Sequence, residues 1–488
     1  MTALGLPAPA LESGRARVAP LAAAAAAAAL GGVLALLHPR TETALIGAIA
    51  AVAVLPLLWR AAQRRLDPFE PLLIFSVAWL VLFVARPAAM LLTDAFRFQT
   101  YPIRDGFIPM LVMALLGGAG FLLGYALPWG GALGRRLPPL PSAWHADTAV
   151  AYALALVGLG TVLFTAFLLQ AGGPDLSRSL LEGRGDAGPD YAASTGYLYL
   201  AIFLSIPAAL LIIASGGMTG RLRRGLVALG IAVLCVSLVQ AGPSGTRSWL
   251  LPIFGSVFIF WYVRHGRRPA ARTLLLLLLM GFFLGINFAR EARSPEVRRE
   301  VGLWALLVRS VTRPDDAWDA FILGPDTEMA SLLSLEATAV PSRIPFQHGL
   351  ATGHVLVHPV PRTLWPGKPR PGDEILTEEL FHRRRINFAP RQYTPLGNFY
   401  MDFGYAGALA GMAPLGVLAR LHYAYFLRNA ANPAVQALFA ATLPFWVVLL
   451  RGSVSDTAAR LFYVVPPLLL GLALARRAGG SAPPEAAP

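Results

Sequence analysis

Residues 107–127 read FIPMLVMALLGGAGFLLGYAL, twenty-one positions without a charged side chain. At about 1.5 Å per residue, a helix of this length crosses the ~30 Å hydrocarbon core of a bilayer. The helix also satisfies its own backbone hydrogen bonds, as the bilayer interior requires. Working outward, comparable runs occur at 18–37, 43–59, 71–92, 148–170, 195–214, 224–241, 249–263, 273–289, 405–419, 434–450 and 459–475. They predict about 12 membrane-spanning helices. A composition that is 56% hydrophobic and only 14% charged excludes an ordinary soluble domain. The expected fold class is therefore an all-α polytopic membrane protein.

The spans divide the chain. Residues 1–289 hold about nine of them, 290–404 form one large extracytoplasmic loop between the ninth and tenth, and 405–477 hold about three. Residues 478–488 are a Pro/Ala-rich tail expected to be disordered. The alanine-rich first span reads as an uncleaved anchor, because the charge pattern requires it as a crossing. The lone Cys235 excludes an intrachain disulfide.

A net charge of +14 invites a nucleic-acid reading, so its location matters. With the N-terminus in the cytoplasm, one face collects Arg60, Arg64, Arg65, Arg135, Arg136, Arg221, Arg223, Arg224, Arg264, Arg267, Arg268 and Arg272, then Arg420, Arg428, Arg476 and Arg477. The opposite short connections carry far fewer. This is the positive-inside pattern of a multi-pass membrane protein, expected to have both termini cytoplasmic. The charge sets topology and meets anionic lipid head groups, and nucleic acid is excluded as a partner.

Between these spans lies a polar island, Phe346 to Gly407, that contains the chain's one lysine, Lys368, among 41 basic residues. From Pro341 onward, prolines at 341, 345, 359, 361, 366, 369, 371, 390 and 395 forbid long regular structure, while the aromatic residues of the island argue for order. Just upstream, 326–339 (DTEMASLLSLEATA) reads as a helix with an acidic first turn. His348, His354 and His358 lack a carboxylate at ligand spacing, so no metal is expected. No phosphate-binding loop, dinucleotide fingerprint or nucleophile elbow occurs, and no cofactor is expected.

The outer face does offer arginine near the membrane boundary: Arg86 late in the third span, Arg184 in EGRGD, Arg247 in GPSGTRSW, Arg343, Arg362 and Arg451. Guanidinium forks bind phosphate oxygens bidentately, which suits a diphosphate at head-group level. Structural ion pairing is the alternative for each one alone, and snorkelling to the interface is the alternative for Arg86.

Three stretches then point to a family. GPSGTRSWLLPIF (242–254), PVPRTLWPGKP (359–369) and TPLGNFYMDFGYAG (394–407) resemble elements of the O-antigen and exopolysaccharide repeat-unit polymerases of the Wzy type. The resemblance covers about 240–410 and is only architectural before that. Asn398 departs from it, standing where an acidic residue is expected.

The resemblance implies a C-type glycosyltransferase. Such an enzyme moves a glycan from an undecaprenyl-diphosphate-linked oligosaccharide to the terminal sugar of another, outside the cytoplasm and without metal. It also implies a flippase and a chain-length regulator as partners. Such chemistry needs cations for the departing lipid diphosphate and a base for the acceptor hydroxyl. Arg247, Arg184 and Arg362, with Lys368, Arg343 and Arg86 in support, are the expected diphosphate ligands. His354, Asp402 and Glu336 are the candidate bases, Asp402 having loop anchoring as its alternative. Trp365, Pro366, Gly397, Tyr400 and Gly404 are expected to set loop geometry. An O-antigen-type ligase would use the same chemistry on another acceptor. A transporter of lipid-linked glycans is the reading from a different class.

Overall fold

The computed structural model describes residues 41–98, 100–170, 198–216, 223–241, 250–270, 321–358, 364–381 and 393–476, with a few isolated positions between them. The expected spans 18–37 and 273–289 lie wholly or mostly outside these residues, as does most of 298–320.

Among the described residues the chain is helical apart from one two-stranded hairpin, Arg97–Phe98 with Tyr101–Pro102. Seven helical segments among the described residues are long and apolar enough to cross a membrane. The first is α1 (Thr41–Ala62); the second is α2 (Pro71–Thr93), which contains a π-helical turn at Val81–Ala85. The turn has a covalent cause. Pro87 has no N–H and its ring crowds the preceding turn, so the Arg86 N–H reaches back to the Val81 carbonyl instead.

Then follow α3 (Phe107–Ala126), the short α4 (Pro128–Arg136), α5 (Ala146–Gln170) and α6 (Ser205–Gly216). Next come α7 (Arg223–Ala241) and α8 (Leu250–Arg264). The expected helix within 326–339 is α9 (Met329–Ala339), and among its described residues the proline-rich segment forms the short α10 (Leu350–Val357) and α11 (Gly372–Phe381). The chain returns through α12 (Pro395–Arg428) and then α13 (Pro433–Thr442), α14 (Phe445–Arg451), α15 (Val454–Phe462) and α16 (Val465–Leu474).

Two apolar clusters fill this frame. One joins α1, α2 and α3 to α9 and the beginning of α12. The other joins α5 to α8 with the end of α12 and with α13, α14 and α16. The shared seam is α3 against α12. Their partners advance together: Gly120 lies on the Leu409 carbonyl, Gly124 on that of Ala413, Gly130 of α4 on Val417, and Gly134 on Leu421. The two helices therefore run parallel. Apolar surface gives little drive for helix association in lipid, where tails are as apolar as leucine. Close backbone approach through small residues supplies it instead.

Parallel packing sorts the connections between two poles. At the pole where α3 begins, Gly106 abuts the Ser334 carbonyl of α9, and the Tyr101 hydroxyl donates to the Leu380 carbonyl. At the other pole, Arg268 grips Asp67 through two bonds of 2.7 Å, and Tyr423 donates to the same carboxylate at 2.8 Å. Glu70 there receives both Arg60 and the Tyr125 hydroxyl.

Gly124→Ala is expected to lower stability by about 1–3 kcal/mol, since the new Cβ would overlap the Ala413 carbonyl oxygen. Gly158→Ala, with nothing within 4 Å of the added carbon, should be neutral or stabilising by up to about 1 kcal/mol. Thermal unfolding of both variants in detergent tests this; equal behaviour would mean that the close approach of α3 and α12 does not hold the fold together.

Candidate functional site

The site grows from the sequence Tyr-Thr-Pro at 393–395. Thr394 is extended and caps α12, its hydroxyl accepting the Gly397 N–H, and Pro395 fills the first helical position, where no N–H is needed. The helix holds only to Asp402. Phe403 and Gly404 leave helical geometry, Gly404 at φ 61° and ψ −145°, a region open essentially to glycine. A helix that stops exposes its last carbonyls. Here Gln347 N–H donates to Met401 O at 3.0 Å and His348 N–H to Asp402 O at 3.2 Å.

The favour is returned through the Asp402 side chain. Helix α10 follows Gly349, which has no side chain to act as a cap. The Asp402 carboxylate does so from across the fold, accepting the N–H groups of Ala351 at 3.0 Å and Thr352 at 2.9 Å. A carboxylate at a helix N-terminus also meets the positive end of the helix dipole. Of the two roles weighed for Asp402, the geometry describes anchoring, with one bond to each oxygen. The helix so held carries His354, which is buried, its ring perpendicular to that of His358 at 5.1 Å.

Glu336 is different. It is fully buried on α9; its Oε1 accepts the Tyr393 hydroxyl at 2.8 Å, and its Oε2 has no hydrogen-bond partner among the described residues. Burial raises its carboxyl well above the usual range, the nearby Asp402 charge adds to this, and the Tyr393 bond opposes it. Burial also raises the Tyr393 hydroxyl, with Glu336 next in effect. Gly397 makes the arrangement possible: a Cβ there would stand 2.7 Å from Glu336 Oε2 and 2.9 Å from the Tyr393 ring. Asn398, the next residue, is 1% exposed and neither of its amide atoms has a partner among the described residues. A buried carboxyl with one oxygen tethered and the other open can take or give a proton.

The expected cation ligands fare unevenly. Arg184, Arg247 and Arg362 lie outside the described residues. Arg86 does not present its fork to the outside. It donates to the carbonyls of Ile322 (3.1 Å) and Gly324 (2.8 Å), to Thr327 Oγ1 (3.0 Å) and to Ser331 Oγ (2.9 and 3.2 Å). It is a clamp between α2 and the segment leading into α9. Arg451 holds the same segment through the Asp326 carbonyl at 2.9 Å. The neighbouring Glu328 is raised to about 7, by burial first and against the opposing charge of Arg86.

Lys368 is likewise turned inward, its ammonium donating to the carbonyls of His358 (2.8 Å) and Val360 (3.0 Å). Arg343 is exposed. Trp365 and Pro366 are exposed in the turn that Lys368 closes, where Lys368 N–H donates to Trp365 O. The buried Tyr400 rests edge-on to Tyr405.

Sequence reasoning passed over Tyr393 and the Thr327–Ser331 acceptors. The signal for the first was present: a tyrosine directly before a Thr-Pro helix start, in a stretch otherwise expected to face water. The second had none, since Arg86 and Ser331 are 245 residues apart. The fold and site together define an integral membrane protein with a buried carboxyl–tyrosine pair at one pole. No family model matches the chain, and no curated protein or solved structure matches it.

Arg86→Ala is expected to cost about 3 kcal/mol or more, because four buried acceptors lose a charged donor. The loss should appear as lower thermal stability in detergent. A variant as stable as the parent would return Arg86 to the pool of ligand-binding cations.

Proposed function

We propose that the chain is a glycosyltransferase that lengthens a glycan carried on a polyprenyl diphosphate at the extracytoplasmic face. In this reading it crosses a bacterial plasma membrane about twelve times with both termini inside. The large loop between the ninth and tenth spans then lies outside. The distribution of arginine supports the orientation. The observation that carries the reaction is Glu336, a fully buried carboxyl with Oε1 tethered by Tyr393 and Oε2 open. The resemblance of 242–254, 359–369 and 394–407 to repeat-unit polymerases supplies the substrate class.

The steps balance simply. The acceptor hydroxyl oxygen bonds to the donor's anomeric carbon while that carbon's bond to the diphosphate oxygen breaks. Glu336 Oε2 takes the hydroxyl proton, and the electron pair leaves with the lipid diphosphate. Cations at Arg247, Arg184 and Arg362 are assigned to that leaving group. Arg86 and Lys368 serve instead as scaffold, since their donors are taken by carbonyls and hydroxyls of the protein.

Purified protein given a lipid-diphosphate-linked repeat unit should form a size ladder. Glu336→Gln should abolish it while leaving the unfolding temperature close to the parent's, because Gln can still accept the Tyr393 hydroxyl. A Gln variant with parental ladders would remove Glu336 as the base, and movement of substrate between leaflets without lengthening would indicate a transporter.

The pH profile gives a second check. A base whose pKa is raised is ionised only at higher pH, so the acid limb of the rate should sit above the ordinary carboxylate range. Stability should run the opposite way. Glu336 and Glu328 are raised in the folded state, so the stability they contribute is full below the unfolded value and falls as pH rises through the folded one, about 7 for Glu328. The double variant Glu328→Gln/Glu336→Gln should flatten that fall.

A further inference from the structure

Between Arg343 and Arg362 the polar island runs for eighteen residues, 344–361, without a Lys, Arg, Asp or Glu. Prolines at 345, 359 and 361, with Gly349 at φ 94°, keep it from forming a helix long enough to cross a bilayer. An apolar stretch too short to cross either packs in a core or enters a leaflet and returns.

Helix α10, in the middle of this run, is not a core helix. Ala351 and His354 are its buried residues, whereas Leu350 is 57% exposed and Leu356 84%. A Cβ on Gly353, between those leucines on the outward side, would meet nothing within 4 Å among the described residues. The Lys368 ammonium fastens the next turn to the carbonyls of His358 and Val360, and Leu364 and Trp365 enter that turn exposed.

The neighbours of α10 fix its depth. Its first turn hangs on residues 401–402, through the Gln347 and His348 N–H groups and the Asp402 carboxylate. Those residues end a half-helix, 395–402, that lies alongside α3. A Cβ on Gly117, about 15 Å beyond Phe107, would meet Leu396 first and Met412 next. The Phe399 carbonyl lies on Gly407 and its ring on Gly411. Position 396 thus pairs with 412 and 399 with 407–411, closing about the break at Phe403–Gly404 as a re-entrant hairpin.

After the break, α12 meets Gly120 of α3 with Leu409, so its first turn stands about 10 Å beyond Phe107. Gly349, directly before α10, faces the Phe403 ring there, a Cβ on it standing 3.6 Å from Phe403 Cζ. Helix α10 packs also against α15, the first half of Val454–Leu474, a segment long and apolar enough to cross. It therefore begins within the thickness of the crossing helices. Its outward side continues the exposed stripe of α12 formed by Phe403, Tyr405 and Leu409. A contiguous exposed apolar surface at that depth is a lipid-facing one.

We propose that α10 and the Leu364–Trp365 turn are seated in the leaflet at the pole where α3 begins, with Leu350, Leu356 and Leu364 against phospholipid acyl chains. The seat stands on packing alone, whichever side of the membrane that pole faces. It is independent of the glycan-transfer reading.

The test uses the full-length protein with Cys235→Ser as background, in phosphatidylcholine nanodiscs with or without bromine on the acyl chains. Leu350→Cys and Leu356→Cys, each labelled with a polarity-sensitive fluorophore, should emit to the blue and lose most of their emission to brominated lipid. A label at Leu418→Cys, on the exposed stripe of α12, should do the same, and one at Glu379→Cys, exposed on α11, should not. Quenching by aqueous iodide but not by brominated lipid would put α10 in water. Quenching by neither would mean that a second copy or another segment of the chain covers the face. Either result at either position overturns the proposal.

A second measurement needs no label. Leu356→Asp should lower the unfolding temperature in nanodiscs by several degrees, because a carboxylate is costly among acyl chains. A leucine facing water would lose nothing by the change, so an unchanged unfolding temperature would also overturn the seat.

Discussion

Everything in this protein hangs on the contact of α3 with α12. Glycines at 120 and 124, continued by 130 and 134 in α4, let carbonyls of Leu409, Ala413, Val417 and Leu421 lie directly on the facing backbone. In a bilayer, helices gain little from burying apolar side chains against one another, so backbone proximity carries much of the association. The contact has a register, because each glycine meets a carbonyl four residues beyond the last. That register fixes where along α3 the first residues of α12 must sit, and hence where Tyr393, Gly397 and Asn398 stand relative to α9.

The second constraint is the break at Phe403–Gly404. A continuous helix from 395 to 428 would engage the Met401 and Asp402 carbonyls in its own ladder. By stopping at 402 it leaves those two carbonyls to receive Gln347 and His348, and the Asp402 side chain caps α10 beside them. The exchange ties three segments of the polar island to the membrane helix that follows it. It also separates the two acids by role. Asp402 has both oxygens occupied and holds structure, whereas Glu336 has one oxygen occupied and one open.

Arginine and lysine are spent in a comparable way. Arg86, Arg451 and Lys368 each turn inward to backbone carbonyls: Arg86 to those of Ile322 and Gly324, Arg451 to that of Asp326, and Lys368 to those of His358 and Val360. In chain this rich in proline, carbonyls outnumber the N–H groups that can meet them, and cations fill the deficit. The same residues would be read from sequence as phosphate ligands, because a guanidinium suits a carbonyl pair and a phosphate equally well.

The sequence by itself determined the class, an all-α membrane protein, and among the described residues seven helices have the length and apolarity to cross, since apolar length is a local property that the bilayer reads directly. It also determined the start of α12, because Thr-Pro carries its own cap, and the shortness of α10 and α11, because proline removes donors wherever it falls. The Gly404 break was within reach of the sequence for the same reason: only the residue's own backbone freedom is involved. What tertiary structure alone decided was which polar groups are already satisfied. Asp402 and Glu336 are the same kind of acid in sequence, and Arg86 and Arg343 the same kind of cation. Their roles separate only when partners hundreds of residues away, such as Ser331 for Arg86, arrive or fail to arrive within hydrogen-bond reach. Hydrogen bonding is short in range and indifferent to sequence distance, so no local pattern records it.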